Sequence, residues 1–181
     1  MSATLIREKS RVSYWVIPCL LSIVICLAAQ VRFFLPFSPV PITLQVHLIL
    51  LFSYLLGDRR ALLMTSLFLL QGCLGFSVFA TGAGVARLLG PTGGYLIGYL
   101  VASYVTGLLN QKSPLLAMGI GNTVVYLFGW LHLTQFVGAL RAIEVGVAPF
   151  LLLDVLKLVL CCWVTCAKRY VWTDSSKEFY F

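Results

Sequence analysis

The sequence predicts an all-α integral membrane protein with six transmembrane helices and both termini in the cytoplasm. Of its 181 residues, 60% are hydrophobic and only 10% are charged, and the mean hydropathy is +0.97. The apolar residues form long continuous runs, whereas the strands of a transmembrane barrel would alternate apolar and polar residues. No polar stretch is long enough for a soluble domain, so residues 1–181 are expected to form a single domain.

The net charge of +7 is explained by membrane topology rather than by nucleic acid. Basic residues precede the first apolar run and follow the second, fourth and last ones: Arg7, Lys9, Arg11, Arg59, Arg60, Lys112, Lys168, Arg169 and Lys177. The other connections carry only Arg32, Arg87 and Arg141. With six spans this distribution obeys the positive-inside rule, so we expect a multi-pass protein of the plasma membrane, surrounded by lipid.

The first span is predicted from Val12 to Phe34. Within it, Ser22, Cys26 and Ala29 fall at i, i+4 and i+7 and give one face a stripe of small side chains. Such a stripe lets another helix approach closely. The neighbour is either another helix of this chain or a helix of a partner subunit.

The next connection contains three prolines in residues 36–41, which cannot be helical. A short second span follows from Ile42 to about Leu56. Irregular backbone close to a membrane is tolerated where it is buried in protein or lines a cavity. The rigid loop, followed at once by Thr43 and Gln45, therefore predicts a wall of a binding site.

The third span is predicted from Ala61 to about Leu74, after a tight cytoplasmic turn at Gly57–Arg60. A long glycine-rich connection, Gly75–Tyr95, then carries Arg87 on the extracytoplasmic side. Its length and apolar composition are typical of a lid or binding loop.

The last three spans complete the bundle. The fourth starts at Gly94, and its Gly94-x-x-x-Gly98 spacing favours close helix packing. The fifth runs from about Leu115 to Ala139 and places Asn122 and Tyr126 on one face. The sixth begins near Pro149, which suits the first turn of a helix.

The sixth span contains Asp154 and Lys157 in an otherwise apolar run. An ionisable residue inside a membrane helix costs about 3 kcal/mol by insertion scales and indicates a function. The i, i+3 spacing puts both on one face, about 8 and 12 Å below the helix start at 1.5 Å per residue. We expect them to form the charged wall of a pocket that is open to the outside. The alternative is that they only neutralise each other within the bundle.

Catalytic and metal-binding motifs are missing from the sequence. It contains no GxSxG elbow, no HExxH and no P-loop. The six cysteines lie in or beside apolar segments and are expected to be packing residues, and His47 and His132 are lone histidines. We therefore expect a protein that is not an enzyme and has no cofactor.

The expected pocket suits a small, partly apolar ligand with amide- or urea-like groups at one end and an acid at the other. A carboxylate such as Asp154 accepts N–H donors, Lys157 can reach an oxygen, and Gln45 offers both a donor and an acceptor. Arg87 on the lid loop can meet a carboxylate.

Four blocks of the sequence resemble the BioY family, the biotin-specific S components of energy-coupling-factor (ECF) transporters. They are PVPITLQ at residues 39–45, GxxGxxVFA at 72–80, GPTGGYLIG at 90–98 and PFxxxDxxK at 149–157. The resemblance implies the six-helix ECF S-component fold, with biotin captured from outside. It also implies an ECF coupling membrane subunit and two ATPase subunits as partners.

Six residues are expected to bind the substrate: Asp154, Lys157, Gln45, Thr43, Tyr95 and Arg87. Three other functions remain open at this point. The chain could be an S component for a different vitamin, an intramembrane enzyme that uses Asp154 as a base, or a structural scaffold.

Overall fold

The computed structural model is a bundle of α-helices with a two-stranded ribbon. The structure describes the backbone of residues 2–175 and the side chains of residues 14–166. The helices are α1 (Ser2–Ala28), α2 (Gln45–Leu56), α3 (Asp58–Cys73), α4 (Ala86–Leu89), α5 (Gly93–Leu108), α6 (Pro114–Val137), α7 (Ala139–Gly146) and α8 (Ala148–Ser175). The strands are β1 (Arg32–Phe33) and β2 (Ile42–Thr43), which pair antiparallel. The basic residues Arg7, Lys9, Arg11, Lys168, Arg169 and Lys177 lie outside the described side chains.

The connections after α1, α3 and α6 meet at one end of the bundle, which we call the lid end. Gln30 donates a hydrogen bond to the carbonyl of Ser77 over 2.7 Å, and Ser38 donates one to the carbonyl of Val145 over 2.6 Å. The connections at the opposite end are short: Gly57 alone separates α2 from α3. The irregular backbone is therefore concentrated at the lid end.

Glycines allow α5 and α6 to pack closely. A Cβ on Gly94 would lie 2.4 Å from the carbonyl oxygen of Phe128, and a Cβ on Gly98 would lie 3.1 Å from the Cβ of Phe128. This contact confirms the close packing predicted from the Gly94-x-x-x-Gly98 spacing.

The small residues of α1 pack within this chain, against α3. Ser22 is fully buried and Cys26 is nearly so. Gln71 of α3 donates to the Ser22 hydroxyl over 3.1 Å and accepts from the Cys26 thiol over 2.9 Å. Of the two neighbours left open by the sequence, the structure shows another helix of the same chain.

Three predicted boundaries were wrong. α1 ends at Ala28 rather than at Phe34, because Phe33 pairs with Ile42 in the ribbon. The turn predicted at Gly57–Arg60 is Gly57 alone, and residues 58–60 form the first turn of α3.

The third error is at the end of α6, which stops at Val137 rather than Ala139. Gly138 adopts a φ of +84°, and its N–H bonds the Thr134 carbonyl to close the helix. The connection that follows contains α7, a helix that the sequence did not predict.

Two of the described helical segments are long and apolar enough to cross a membrane: Pro114–Val137 and Ala148–Cys166. Tyr14–Ala28 and Gln45–Leu56 are apolar but shorter. The bundle exposes many large apolar side chains, including Leu27, Leu140, Leu152 and Trp163.

Candidate ligand-binding site

Asp154 on α8 is the carboxylate around which the polar side chains of the site are arranged. The residue is 7% exposed. The Tyr126 hydroxyl of α6 donates to Oδ2 over 2.5 Å, and the Lys157 ammonium donates to Oδ1 over 3.2 Å. A carboxylate has about four lone-pair positions, so both oxygens can accept a further N–H donor.

Lys157 connects α8 to the ribbon. Its Nζ also donates to the backbone carbonyl of Thr43 in β2 over 3.0 Å. The predicted i, i+3 pairing with Asp154 is therefore present, and the ammonium has a second acceptor. The pair does more than neutralise its own charges, because it joins two separate elements of the fold.

Two adjoining cavities lie beside this pair. The first, which we call the α8 cavity, contains about 390 Å³ of unfilled space and is lined by Asp154, Lys157, Asn122, Tyr126 and Phe150, among others. The second, the lid cavity, contains about 330 Å³ and is lined by Gln45, Phe79, Thr81, Thr92 and Leu96, among others. Both volumes include space open to solvent, and Val40, Thr43, Tyr95 and Tyr99 line both cavities.

Tyr95 of α5 forms the shared wall of the two cavities. Side chains at Gly129 or Gly146 would collide with its ring or hydroxyl, so its position depends on these two glycines. Its hydroxyl donates to the Gly146 carbonyl over 2.7 Å. Tyr95 thereby ties the end of α7 to the site.

The lid is the segment of residues 74–92. Phe79 is 1% exposed, and its ring packs over Gly72, where a Cβ would lie 2.0 Å from it. Arg32 donates to the Ala80 carbonyl over 2.5 Å. These contacts hold the lid over the cavity that Phe79 lines.

Unpartnered polar atoms are concentrated at this site. Five buried side-chain nitrogen or oxygen atoms have no hydrogen-bond partner among the described residues, and four of them belong to Gln45 (Nε2), His47 (Nδ1 and Nε2) and Asn122 (Oδ1). The fifth is Thr65 Oγ1. A buried polar atom without a partner costs about 1–3 kcal/mol, and a ligand that supplies the partner recovers that cost.

The structure brings together five of the six predicted site residues. Asp154, Lys157, Gln45, Thr43 and Tyr95 line one cavity or both. Arg87 lies apart from them: it is exposed on α4, lines neither cavity, and its guanidinium lies beside Gly82.

Sequence reasoning missed three neighbours of Asp154. Asn122 and Tyr126 form a polar i, i+4 pair in an apolar span, and that signal is sufficient to include them. His47 is a lone histidine in the sequence and carries no such signal. It is 3% exposed, and its Nε2 lies 3.8 Å from Asp154 Oδ1, beyond hydrogen-bonding distance.

Comparison with known proteins relates the whole chain to one family. A model of the BioY family matches residues 5–173. A probable biotin transporter BioY from Pyrococcus horikoshii is 41% identical over 121 residues, which cover 66% of this chain and 75% of the relative. The biotin transporter BioY from Thermotoga maritima is 41% identical over 132 residues, or 69% of this chain and 78% of the relative.

The fold is also that of a solved S component. The 2.1 Å crystal structure of the S-component for biotin from an ECF-type ABC transporter superposes with a TM-score of 0.81. The match covers 90% of this chain and 93% of the other at 24% identity, and it confirms the predicted ECF S-component fold. The proteins of the family are transporters, which are membrane proteins and not enzymes. The matched span and the two 41% identical relatives establish that the chain belongs to the BioY family.

Proposed function

We propose that this protein is a biotin-uptake subunit that captures biotin from the extracytoplasmic side and delivers it inward. The observation that carries the proposal is the buried Asp154, held by Tyr126 and Lys157 in the wall of the α8 cavity, in a chain of the BioY family. The curated relatives described above are named as biotin transporters.

The chemistry of the α8 cavity suits the ureido ring of biotin. That ring carries two N–H donors, and Asp154 retains lone pairs that can accept them. Lys157 donates a hydrogen bond to this carboxylate, and its ammonium lines the same cavity, where it can also donate to a ligand oxygen. The apolar lining, which includes Val40 and Phe150, suits the sulfur-containing ring.

The lid cavity suits the valerate tail. Gln45 Nε2 is a donor without a partner among the described residues. Thr81 and Thr92 line the same cavity, and their hydroxyls can donate to a carboxylate. Tyr95 separates the two ends of the site.

The proposed topology is that of a multi-pass plasma-membrane protein with both termini in the cytoplasm. Its six membrane-spanning helices are α1, α2, α3, α5, α6 and α8. It is supported by the distribution of Lys and Arg along the chain. α2 has 12 residues, or about 18 Å at 1.5 Å per residue, so the connection before it completes the crossing. The lid, α4 and α7 would then face outward.

Uptake is proposed to require partner subunits. The sequence has no P-loop, so energy from ATP would come from an ECF coupling membrane subunit and two ATPase subunits. This proposal is supported by the likeness in fold to an S component of an ECF-type transporter.

Equilibrium binding to the purified protein tests the core of the proposal. We expect biotin to bind the wild type, and Asp154→Asn to weaken binding by about 10- to 150-fold, since a hydrogen bond to a charged group is worth about 1.5–3 kcal/mol. Glu144→Gln makes the same chemical change at an exposed residue of α7 and should leave affinity unchanged. A wild type that does not bind biotin at micromolar concentration would overturn the proposal.

Uptake by a biotin-auxotrophic cell tests the partner requirement. The wild type and Asp154→Asn are each expressed with and without the coupling and ATPase subunits. We expect wild-type uptake to need the subunits and Asp154→Asn to fail with them. Full uptake without the subunits would remove the partner proposal and leave the binding proposal intact.

A further inference from the structure

α7 carries three pairs of residues, and each pair occupies a different face, because residues three apart lie side by side on a helix. A buried apolar pair, an exposed apolar pair and an exposed charged pair are, in that order, Ala142 and Val145, Leu140 and Ile143, and Arg141 and Glu144. Leu140 is 80% exposed and Ile143 is 44% exposed. A helix between a protein core and water needs one apolar face and one polar face. The exposed apolar pair of α7 therefore indicates a third environment.

The connections of α7 hold it at the ends of two membrane-spanning segments. Gly138 alone separates it from α6, and Val147 alone separates it from α8. α6 and the Ala148–Cys166 part of α8 are the two described segments that are long and apolar enough to cross a membrane. Consecutive Cα atoms are about 3.8 Å apart, so neither end of α7 can lie far from the depth at which these segments end.

Exposed apolar side chains continue along the chain on both sides of α7. Phe136, in the last turn of α6, is 47% exposed, and Leu151 and Leu152, near the start of α8, are 48% and 82% exposed. In the proposed topology these side chains face lipid, as exposed apolar patches of a membrane protein do. The exposed apolar pair of α7 thus lies between two stretches of lipid-facing chain.

Hydrogen bonds at both ends join α7 to the rest of the molecule. The carbonyl of its first residue accepts from the indole of Trp130 over 3.2 Å. The carbonyls of its last two residues accept from Ser38 over 2.6 Å and from Tyr95 over 2.7 Å. Because Tyr95 is the shared wall of the two cavities, whatever holds α7 in place also helps to hold this wall.

We propose that α7 is a membrane-interface helix whose partner is the phospholipid surface of the outer leaflet. Leu140 and Ile143 enter the boundary between headgroups and acyl chains, where interfacial helices bury their apolar face by about 5–10 Å. Arg141 and Glu144 face the headgroups and water, and the Arg141 guanidinium can donate to a lipid phosphate. The inference goes beyond the proposed function, because it does not depend on which ligand the cavities take. It uses only the proposed outward orientation of the lid end.

Reaction of introduced thiols with a membrane-impermeant maleimide tests this position. The full-length variants Leu140→Cys and Glu144→Cys place a thiol on the two exposed faces of the same helix, and each is reconstituted in vesicles of phosphatidylcholine and phosphatidylglycerol. The wild type, with its six native cysteines, gives the background, and denaturation in dodecyl sulfate gives the total thiol. We expect Leu140→Cys to react at least about ten times more slowly than Glu144→Cys, because a thiol in apolar surroundings does not ionise to the reactive thiolate.

The two positions form a matched pair. Leu140 is 80% exposed in the bundle, so burial within the protein cannot explain slow labelling. Equal rates at the two positions would overturn the inference. Protection of Leu140→Cys that is lost on dilution of the protein into excess lipid would also overturn it, because the partner would then be a second copy of the chain. Ile143→Cys and Arg141→Cys repeat the comparison on the same two faces if a first variant is not monodisperse.

No ligand takes part in this experiment, so its outcome is separate from that of the proposed function. If the wild type does not bind biotin but Leu140→Cys is protected, the proposed function has failed and the inference stands. If the wild type binds biotin and the two rates are equal, only the inference has failed.

Discussion

The α5–α6 pair and α8 each carry part of the site, but different interactions hold them in the bundle. α5 and α6 are held together by close packing at glycines, because a side chain at Gly94 or Gly129 would collide with the neighbouring helix. α8 exposes much of its apolar surface, with Leu152 82% exposed and Trp163 72% exposed. Its site residues are tied to α6 and β2 through the hydrogen bonds of Asp154 and Lys157.

This difference indicates which wall of the site can move. Tyr95, Asn122 and Tyr126 lie on a closely packed pair of helices, so they form a rigid wall. Asp154 and Lys157 lie on a helix that is joined to α6 and β2 by the same polar groups that a ligand would contact. Ligand binding and the position of α8 are therefore expected to be coupled.

The largest expected effect comes from breaking the charged pair on α8. Lys157→Met leaves the buried Asp154 carboxylate without its counter-charge, which we expect to cost about 3 kcal/mol of unfolding free energy. Asp154→Leu should cost a similar amount by leaving the ammonium unpaired. Unfolding of the purified protein in mixed detergent micelles measures both.

The double variant Asp154→Leu, Lys157→Met is the control for this effect. Because it leaves neither charge buried alone, its cost should be well below the sum of the two single costs. Additive costs would show that the two residues stabilise α8 independently, and the view that the pair positions the helix would then be wrong.

A smaller effect is expected from breaking the contact between α5 and α6. Gly94→Ala places a methyl group 2.4 Å from the Phe128 carbonyl oxygen, which belongs to the backbone and cannot rotate away. We expect a loss of about 1–3 kcal/mol, the usual cost of overpacking. Thermal unfolding in detergent measures it.

Gly119→Ala provides the matched control within α6. Nothing lies within 4 Å of a Cβ at Gly119, so the methyl group meets open space. Alanine is favoured over glycine in a helix by about 1 kcal/mol, so the melting temperature should stay the same or rise. Equal losses in the two variants would contradict the close approach of α5 and α6.

The helical architecture was predictable because its signals are local. Continuous apolar runs predicted α2, α5, α6 and α8 to within a few residues, and the glycine spacing predicted the α5–α6 contact. α4, α7 and the ribbon were not predicted. Residues 139–146 are too few for an apolar run, and strands of two residues depend on pairing between segments separated by a proline-rich loop.

Membership in the site was predictable only where a residue is unusual for its surroundings. Asp154 and Lys157 stand out in an apolar run, and Gln45 follows a segment that cannot be helical. Asn122 and Tyr126 form a polar pair in an apolar span and could have been included, whereas His47 is a single histidine whose position beside Asp154 follows from the distance between helices. That distance is a tertiary property.

The smallest effect is expected at Arg87, which lies neither on the α5–α6 wall of the site nor on the α8 wall. Its guanidinium is exposed beside Gly82 on the outer surface of the lid end. An exposed charge contributes about 0.5–1 kcal/mol to attracting a carboxylate, so Arg87→Gln should weaken biotin binding by about two- to fivefold. The difference from wild type should shrink at high salt, because solvent ions screen exposed charges. A salt-independent loss as large as that of Asp154→Asn would instead mean that the lid carries Arg87 into the lid cavity when biotin binds, and the lid would then be a third, moving wall of the site.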